Sequence, residues 1–229
     1  MNRRLLVIVY ALIVLAVASR SSAQQTVCPY SDATSSRCTF FTMERFGVMV
    51  PAYTVVVLDD GALKYWENAD PRSPAAQRAP WLKVSMATTR TLAAAESSIR
   101  SGACMAHTRA MGFGGKATMI AWSAAGYATC SFASSSDPAI ASASAAFQAM
   151  GEMLQGGERI DRDHHGDRLG LERDLDELID KAKAGKAIEP QLIAAALDSI
   201  ANDDALVDRV RQKAEALLHP AADAVPSAR

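Results

Sequence analysis

The chain has 229 residues, 49% of them apolar and 21% charged, with 24 basic side chains against 25 acidic ones. That composition can bury a core, which excludes disorder as the main state, and the length allows one domain or two. A net charge of −1 offers no surplus of lysine and arginine for a phosphate backbone, so nucleic acid is excluded as a partner.

Arg3 and Arg4 precede an apolar run from Leu5 to Ala18, and Ser21-Ser22-Ala23 follows with small side chains. A spanning helix needs about 20 apolar residues, so this shorter run reads as a signal peptide, residues 1–23, cleaved after Ala23. Gln25-Thr26-Val27 lacks the small residue that a lipoprotein cysteine requires before it, so Cys28 is not a lipid anchor. The expected product is secreted or periplasmic, with no membrane span after cleavage. Losing Arg3, Arg4 and Arg20 takes the net charge to −4, and the remaining charge is uneven. Residues 24–155 hold 10 basic and 9 acidic side chains, and 156–229 hold 11 and 16. The shift places a boundary near Gly156-Gly157, which divides an α+β domain (24–155) from a helical region (156–218) and a mobile tail (219–229).

Four cysteines, at 28, 38, 104 and 130, fall before that boundary. An even count in an exported chain reads as disulfides, and the expected pairs are Cys28–Cys38 and Cys104–Cys130. No C-x-x-C pair is present, so a thioredoxin-like redox centre and a zinc ribbon both lack their ligands.

Residues 39–45 and 52–58 are rich in Thr, Phe, Tyr and Val, as strands are. Asp59-Asp60-Gly61 turns the chain and Ala62–Trp66 returns as a hairpin partner. Asn68–Pro80 carries three prolines and reads as a loop. Trp81–Met86 alternates as a strand, and Thr88 or Thr89 is the expected cap of a helix reaching about Ser101. Ala117–Ser123 and Tyr127–Phe132 form a second hairpin. Asp137-Pro138 opens a helix whose apolar face holds Ile140, Ala143, Phe147, Met150 and Leu154, and which Gly156-Gly157 should weaken. Three amphipathic stripes follow: Leu171 to Ile179, Leu192 to Ile200 (opened by Glu189-Pro190), and Leu206 to Leu218. Short connections between them favour antiparallel packing. The fold expected is α+β: a disulfide-stapled antiparallel sheet with two helices, then a helical C-terminal region. Three helices spanning about 50 residues hold too small a core to stand alone, so at least one stripe should dock on the sheet domain.

Phe46-Gly47, Pro51-Ala52-Tyr53-Thr54-Val55, Asp60-Gly61 and Tyr65 resemble the opening of an exported bacterial protein family of unknown function. Asp167-Arg168-Leu169-Gly170-Leu171 followed by paired helices is similar to exported bacterial proteins without an assigned role. Val48-Met49-Val50 stands where that pattern has a shorter gap containing cysteine. The resemblance implies export and an α+β fold, and brings no activity with it.

The densest set of possible metal ligands is Asp161, Asp163, His164, His165 and Asp167. Helical spacing puts Asp161 with His165 and Asp163 with Asp167, and carboxylates with an imidazole could hold a divalent ion. The Asp-His-His string resembles one in a phosphoesterase family whose other aspartate motifs are missing here. The competing reading is a solvated helix end neutralised by Arg162 and Arg168. Cys104, Met105, His107 and Met111 offer soft ligands for copper, but a disulfide at Cys104 would remove the thiolate, so core packing is the better expectation.

Gly112-Phe113-Gly114-Gly115-Lys116 fails as a phosphate loop, because Ala110 and Ala117 stand where glycine and Ser/Thr are needed. The motifs G-x-S-x-G, S-x-x-K and H-E-x-x-H are all absent, and nothing in the spacing selects a triad from Ser123 and His107. Tyr53, Tyr65 and Trp66 share one hairpin. Strand alternation sends Tyr65 and Trp66 to opposite faces, so one of them should be exposed or at the domain junction. The leading functional expectation is an exported, non-catalytic binding or scaffold protein with an envelope or extracellular partner and no cofactor. The alternative is a metal-binding protein or metal-dependent hydrolase built on the Asp161–Asp167 cluster.

Overall fold

The computed structural model describes residues 28, 37–45, 52–67, 73–104, 106–107, 115–123 and 126–219. The fold is α+β, as the sequence predicts. Its centre is a six-stranded antiparallel sheet of order β4-β3-β2-β1-β6-β7, made from β1 (Cys38–Arg45), β2 (Tyr53–Leu58), β3 (Ala62–Glu67), β4 (Leu82–Lys83), β6 (Gly115–Ser123) and β7 (Gly126–Phe132). β5 (Ala106–His107) pairs with β8 (Ser134–Ser135) in a separate two-stranded ladder.

Alternation along each strand gives the sheet two unlike faces. Phe41, Met43, Tyr53, Val55, Leu63, Tyr65, Met119 and Phe132 point to one face and join the main core. Phe40, Val56, Leu58 and Trp66 point to the other, where they form a smaller cluster with Cys28, Cys38 and Ala76. Between rows of apolar side chains on this second face, Thr42 hydrogen-bonds Thr54 at 3.2 Å and Thr118 bonds Ser131 at 3.0 Å. These pairs satisfy hydroxyls that half-burial would otherwise leave without partners.

The main face is covered by α2 (Met86–Arg100) and α3 (Pro138–His165), with Leu92, Ala95 and Ile99 of α2 and Ile140, Ala143, Phe147 and Met150 of α3 buried against it. Phe147 stacks on Phe41 with ring centroids 4.9 Å apart. The capping side chain of α2 is Ser85, whose hydroxyl accepts from Thr88 N. This displaces Thr88 and Thr89 from the predicted role and leaves only Leu82–Lys83 of the expected 81–86 strand. A five-residue helix, α1 (Pro74–Arg78), sits inside the proline-rich stretch read as loop. Its start is legible afterwards: Ser73 caps it and Pro74 takes the first turn.

Both predicted disulfides form, Cys28–Cys38 with Cα atoms 6.0 Å apart and Cys104–Cys130 at 5.7 Å. In the chain-entropy view each loop closure stabilises the fold by about 3 kcal/mol. The residues of the predicted signal peptide, the 46–51 segment carrying part of the family resemblance, and 220–229 lie outside the described residues.

The predicted C-terminal helices are α4 (Arg168–Lys183), a 3-10 turn (Pro190–Ile193) running into α5 (Ala194–Ala201), and α6 (Asp208–Leu218). They do not begin at Gly156-Gly157, because α3 passes straight through those glycines to His165. The glycines serve packing instead. A Cβ on Gly156 would lie 2.6 Å from Leu178 Cδ1, and one on Gly157 only 2.3 Å from Ile193 Cγ2. Removing both side chains lets α4 and the 3-10 turn press onto α3. One continuous core therefore runs from Phe41 in the sheet to Leu217 in α6, and the helical region docks on the sheet domain as its small size requires.

Candidate functional site

The five predicted metal ligands occupy the corner where α3 turns into α4, and they diverge. Gly166 ends α3, and Asp167 caps α4 by accepting from Gly170 N at 3.2 Å. Asp163 lies beside it: a Cβ on Gly170 would meet Asp167 Oδ2 at 2.8 Å and Asp163 Oδ2 at 3.2 Å. Burial first, then the charges of Asp174 and Asp167, push the Asp163 carboxyl up, opposed by Arg162 and Arg173. Asp161 and His165 occupy a separate exposed face, where His165 Nδ1 bonds the Asp161 carbonyl at 2.7 Å.

His164 turns inward. It is buried, with Nε2 2.9 Å from Asp203 Oδ2, and Arg168 lies 3.6 Å from the same oxygen. Among the described residues its Nδ1 has no hydrogen-bond partner. The hydrogen bond from His164 holds the Asp203 carboxyl below its ordinary value, helped by Ala205 N. This contact ties the α5–α6 connection to α3. Among the described residues, no three His, Cys, Asp or Glu side chains gather with the geometry to hold a metal ion.

The other sequence candidates also separate. Cys104 is disulfide-bonded, so its sulfur is not a thiolate ligand. Met105, Met111, Gly112–Gly114 and the side chain of His107 lie outside the described residues. Lys116 is exposed in β6, the strand into which the glycine-rich segment leads. Tyr65 and Trp66 point to opposite faces, but both are buried, at 8% and 2% exposure, so neither is the predicted exposed aromatic. Among the described residues, the large aromatic side chains that reach the surface are Trp81, with Lys64 Nζ 4.7 Å above its ring, and Tyr127, stacked on Trp122 at 5.1 Å.

Two features escaped the sequence reading. The first is a groove of about 1140 Å³ between α4, the 184–190 connection and α6. Ile179, Ala182, Ile188, Ala216 and Leu217 give it an apolar floor, and its rim carries Asp176 and Lys213, paired at 2.7 Å. Lys213 also bonds Glu172 at 2.9 Å, a pair that draws the Glu172 carboxyl down and fixes α6 against α4. The stripe reading assigned Ile179 and Leu217 to helix packing. Both also line this groove, together with residues of the 184–190 connection, which no periodicity shows.

The second feature is Glu189. It sits at φ 62°, the left-handed region, with its side chain buried. Its carboxylate reaches α2, accepting from Ser85 N at 2.9 Å, from Ser85 Oγ at 2.7 Å and from the Thr88 hydroxyl, while Gln191 Nε2 donates to it from its own turn. An anion thus closes the amino end of a 15-residue helix, where the helix dipole favours it. Comparison with known proteins adds nothing: no family model, no curated protein and no solved structure matches the chain.

Proposed function

We propose that this is an exported, non-catalytic binding protein of the cell envelope or extracellular space, and that the α4–α6 groove is its recognition surface. The groove carries the reading. A concave apolar floor with a few charged groups on its rim is the usual form of a recognition site, and an amphipathic segment of a partner protein is its natural occupant. Two internal disulfides fit an oxidising compartment, and among the described residues no helix is long and apolar enough to cross a membrane. Cleavage of residues 1–23 belongs to the same proposal.

A photo-cross-linking amino acid placed at exposed Ala216 tests it in the producing cell, with Thr129 on the far β7 strand as the control position. The expected result is one discrete adduct from position 216, absent from 129 and abolished when Ala182→Trp fills the groove. No adduct at 216, or one that survives Ala182→Trp in a folded protein, overturns the assignment.

A further inference from the structure

A cavity of about 170 Å³ opens between α2 and the end of the sheet where β1 begins and β2 stops. A space of about 150 Å³ accepts a molecule the size of benzene, so this one has room for about six to eight non-hydrogen atoms. Its floor includes Thr39, Val57 and Leu92, all buried. Its mouth is charged: Arg37 and Asp59 are exposed, and Glu96 is half-buried.

Alternation puts Thr39 on the face of Phe41, the one that α2 covers. Thr39 is only 4% exposed, and among the described residues its hydroxyl has no hydrogen-bond partner. Buried hydroxyls in native folds almost always have one. Valine has the same shape, suits a strand and carries no polar atom to desolvate, so the core alone gives no reason for threonine here. The oxygen is not sealed among packed atoms; it reaches open space at the cavity that Thr39 lines. At the mouth, register opposes Cys38 to Leu58, so Arg37 and Asp59 are the next pair outward, and Asp59 N donates to Arg37 O at 3.3 Å. Despite that closeness, their side chains form no ion pair with each other or with another charged group among the described residues. Glu96 is fixed: Arg100 pairs with it at 3.0 Å and is itself anchored on Ala121 O and Gly126 O, each at 3.1 Å.

We propose that this cavity binds a free α-amino acid with a short aliphatic side chain. The ammonium and carboxylate of such a molecule hang on one carbon, which matches opposite charges on neighbouring residues. Arg37 takes the carboxylate, and Asp59 with Glu96 takes the ammonium. The Thr39 hydroxyl donates a further bond to the carboxylate, and the side chain lies on Val57 and Leu92. A lone anion would face Asp59 and Glu96, and a lone cation would face Arg37, so part of the mouth repels any ligand of one sign. The volume limits the side chain to about that of valine. The cavity shares no lining residue with the α4–α6 groove, so either assignment can fail without the other.

Isothermal titration calorimetry of the full chain with L-alanine and L-valine is the test. Saturable binding of at least one of them, with a Kd of about 1 mM or tighter, is expected. N-acetylvaline lacks the ammonium and valinamide lacks the carboxylate, and each should bind at least about tenfold more weakly than valine. Arg37→Gln, an exposed change that should leave the fold intact by circular dichroism, should weaken binding by at least about tenfold. Thr39→Val should keep or raise the melting temperature, because the hydroxyl holds nothing within the fold, and yet weaken binding about tenfold. No saturation by about 10 mM of either amino acid overturns the site. So does undiminished affinity in folded Arg37→Gln or Thr39→Val, or for either blocked valine.

Discussion

Glu189 gives the sharpest test of how the two halves are joined, because its side chain and its backbone make opposite demands. The carboxylate accepts hydrogen bonds from Ser85 N, Ser85 Oγ, Thr88 Oγ1 and Gln191 Nε2. Bonds to a charged acceptor contribute about 1.5–3 kcal/mol each, but water or a rotated hydroxyl can recover part of what a truncation removes. Glu189→Ala should therefore cost about 3 kcal/mol, which for a chain of this size lowers the melting temperature by about 6–12 °C. The left-handed backbone, at φ 62°, is itself unfavourable for any residue with a Cβ, by about 1–2 kcal/mol. Glu189→Gly loses the same carboxylate yet relieves that strain, part of which is offset by glycine's greater freedom when unfolded. The glycine variant should be about 1 kcal/mol more stable than the alanine variant. Urea denaturation followed by circular dichroism measures both. If alanine is at least as stable as glycine, or if neither departs from the parent by about 0.5 kcal/mol, Glu189 does not hold the amino end of α2 in place. Acid adds a second readout. Burial raises the Glu189 carboxyl, but the bonds from Ser85, Thr88 and Gln191 outweigh it and hold the folded value below the ordinary one. Its contribution is thus complete above the ordinary glutamate value and disappears as pH falls through the lower folded value. Stability of Glu189→Gln should fall less steeply across that acid window.

The remaining predictions concern the shared core. Gly157→Ala gains about 1 kcal/mol of helix propensity, yet its Cβ would lie 2.3 Å from Cγ2 and 2.9 Å from Cβ of Ile193, a β-branched side chain with little room to turn. Overpacking of this kind costs about 1–3 kcal/mol, so we expect net destabilisation, relieved when Ile193→Ala is added; additive effects in the double-mutant cycle would contradict the contact. Residues 158–229 expressed alone should be weakly helical with no cooperative thermal transition, and melting at the full-length temperature would show that the helices need no support from the sheet.

The parts legible from sequence were those governed by local periodicity. Strand-rich composition and turn residues located β1, β2, β3, β6 and β7, and the stripe from Ile140 to Leu154 located α3, because each signal depends on neighbours a few residues away. The disulfide pairs followed from the same local map: Cys38 opens a strand, and Cys104 ends the segment after a helix. Trp81–Met86 misled because a short alternating run cannot reveal that Ser85 caps a helix one residue later. Gly156-Gly157 misled for a deeper reason. In isolation two glycines weaken a helix, and only the approach of Leu178 and Ile193 turns their missing side chains into a packing surface.

The candidate sites were less legible because they depend on separations that no spacing records. Asp161, Asp163, His164, His165 and Asp167 are close in sequence, yet α3 sends the first four to different sides and ends before Asp167, so sequence density worked against convergence. His164 found Asp203 across 39 residues, and Glu189 found Ser85 across 104. A proline after Glu189 disfavours the right-handed helix at that residue and so marks a break. It gives no sign that the break places a carboxylate on another helix's amino end. The same logic brings α3 onto the sheet. Gly151 has no side chain to keep the Tyr53 ring away, since a Cβ there would lie 2.7 Å from Tyr53 Cζ. In this chain the glycines of α3 do what the charged motifs were expected to do: they determine which distant groups meet.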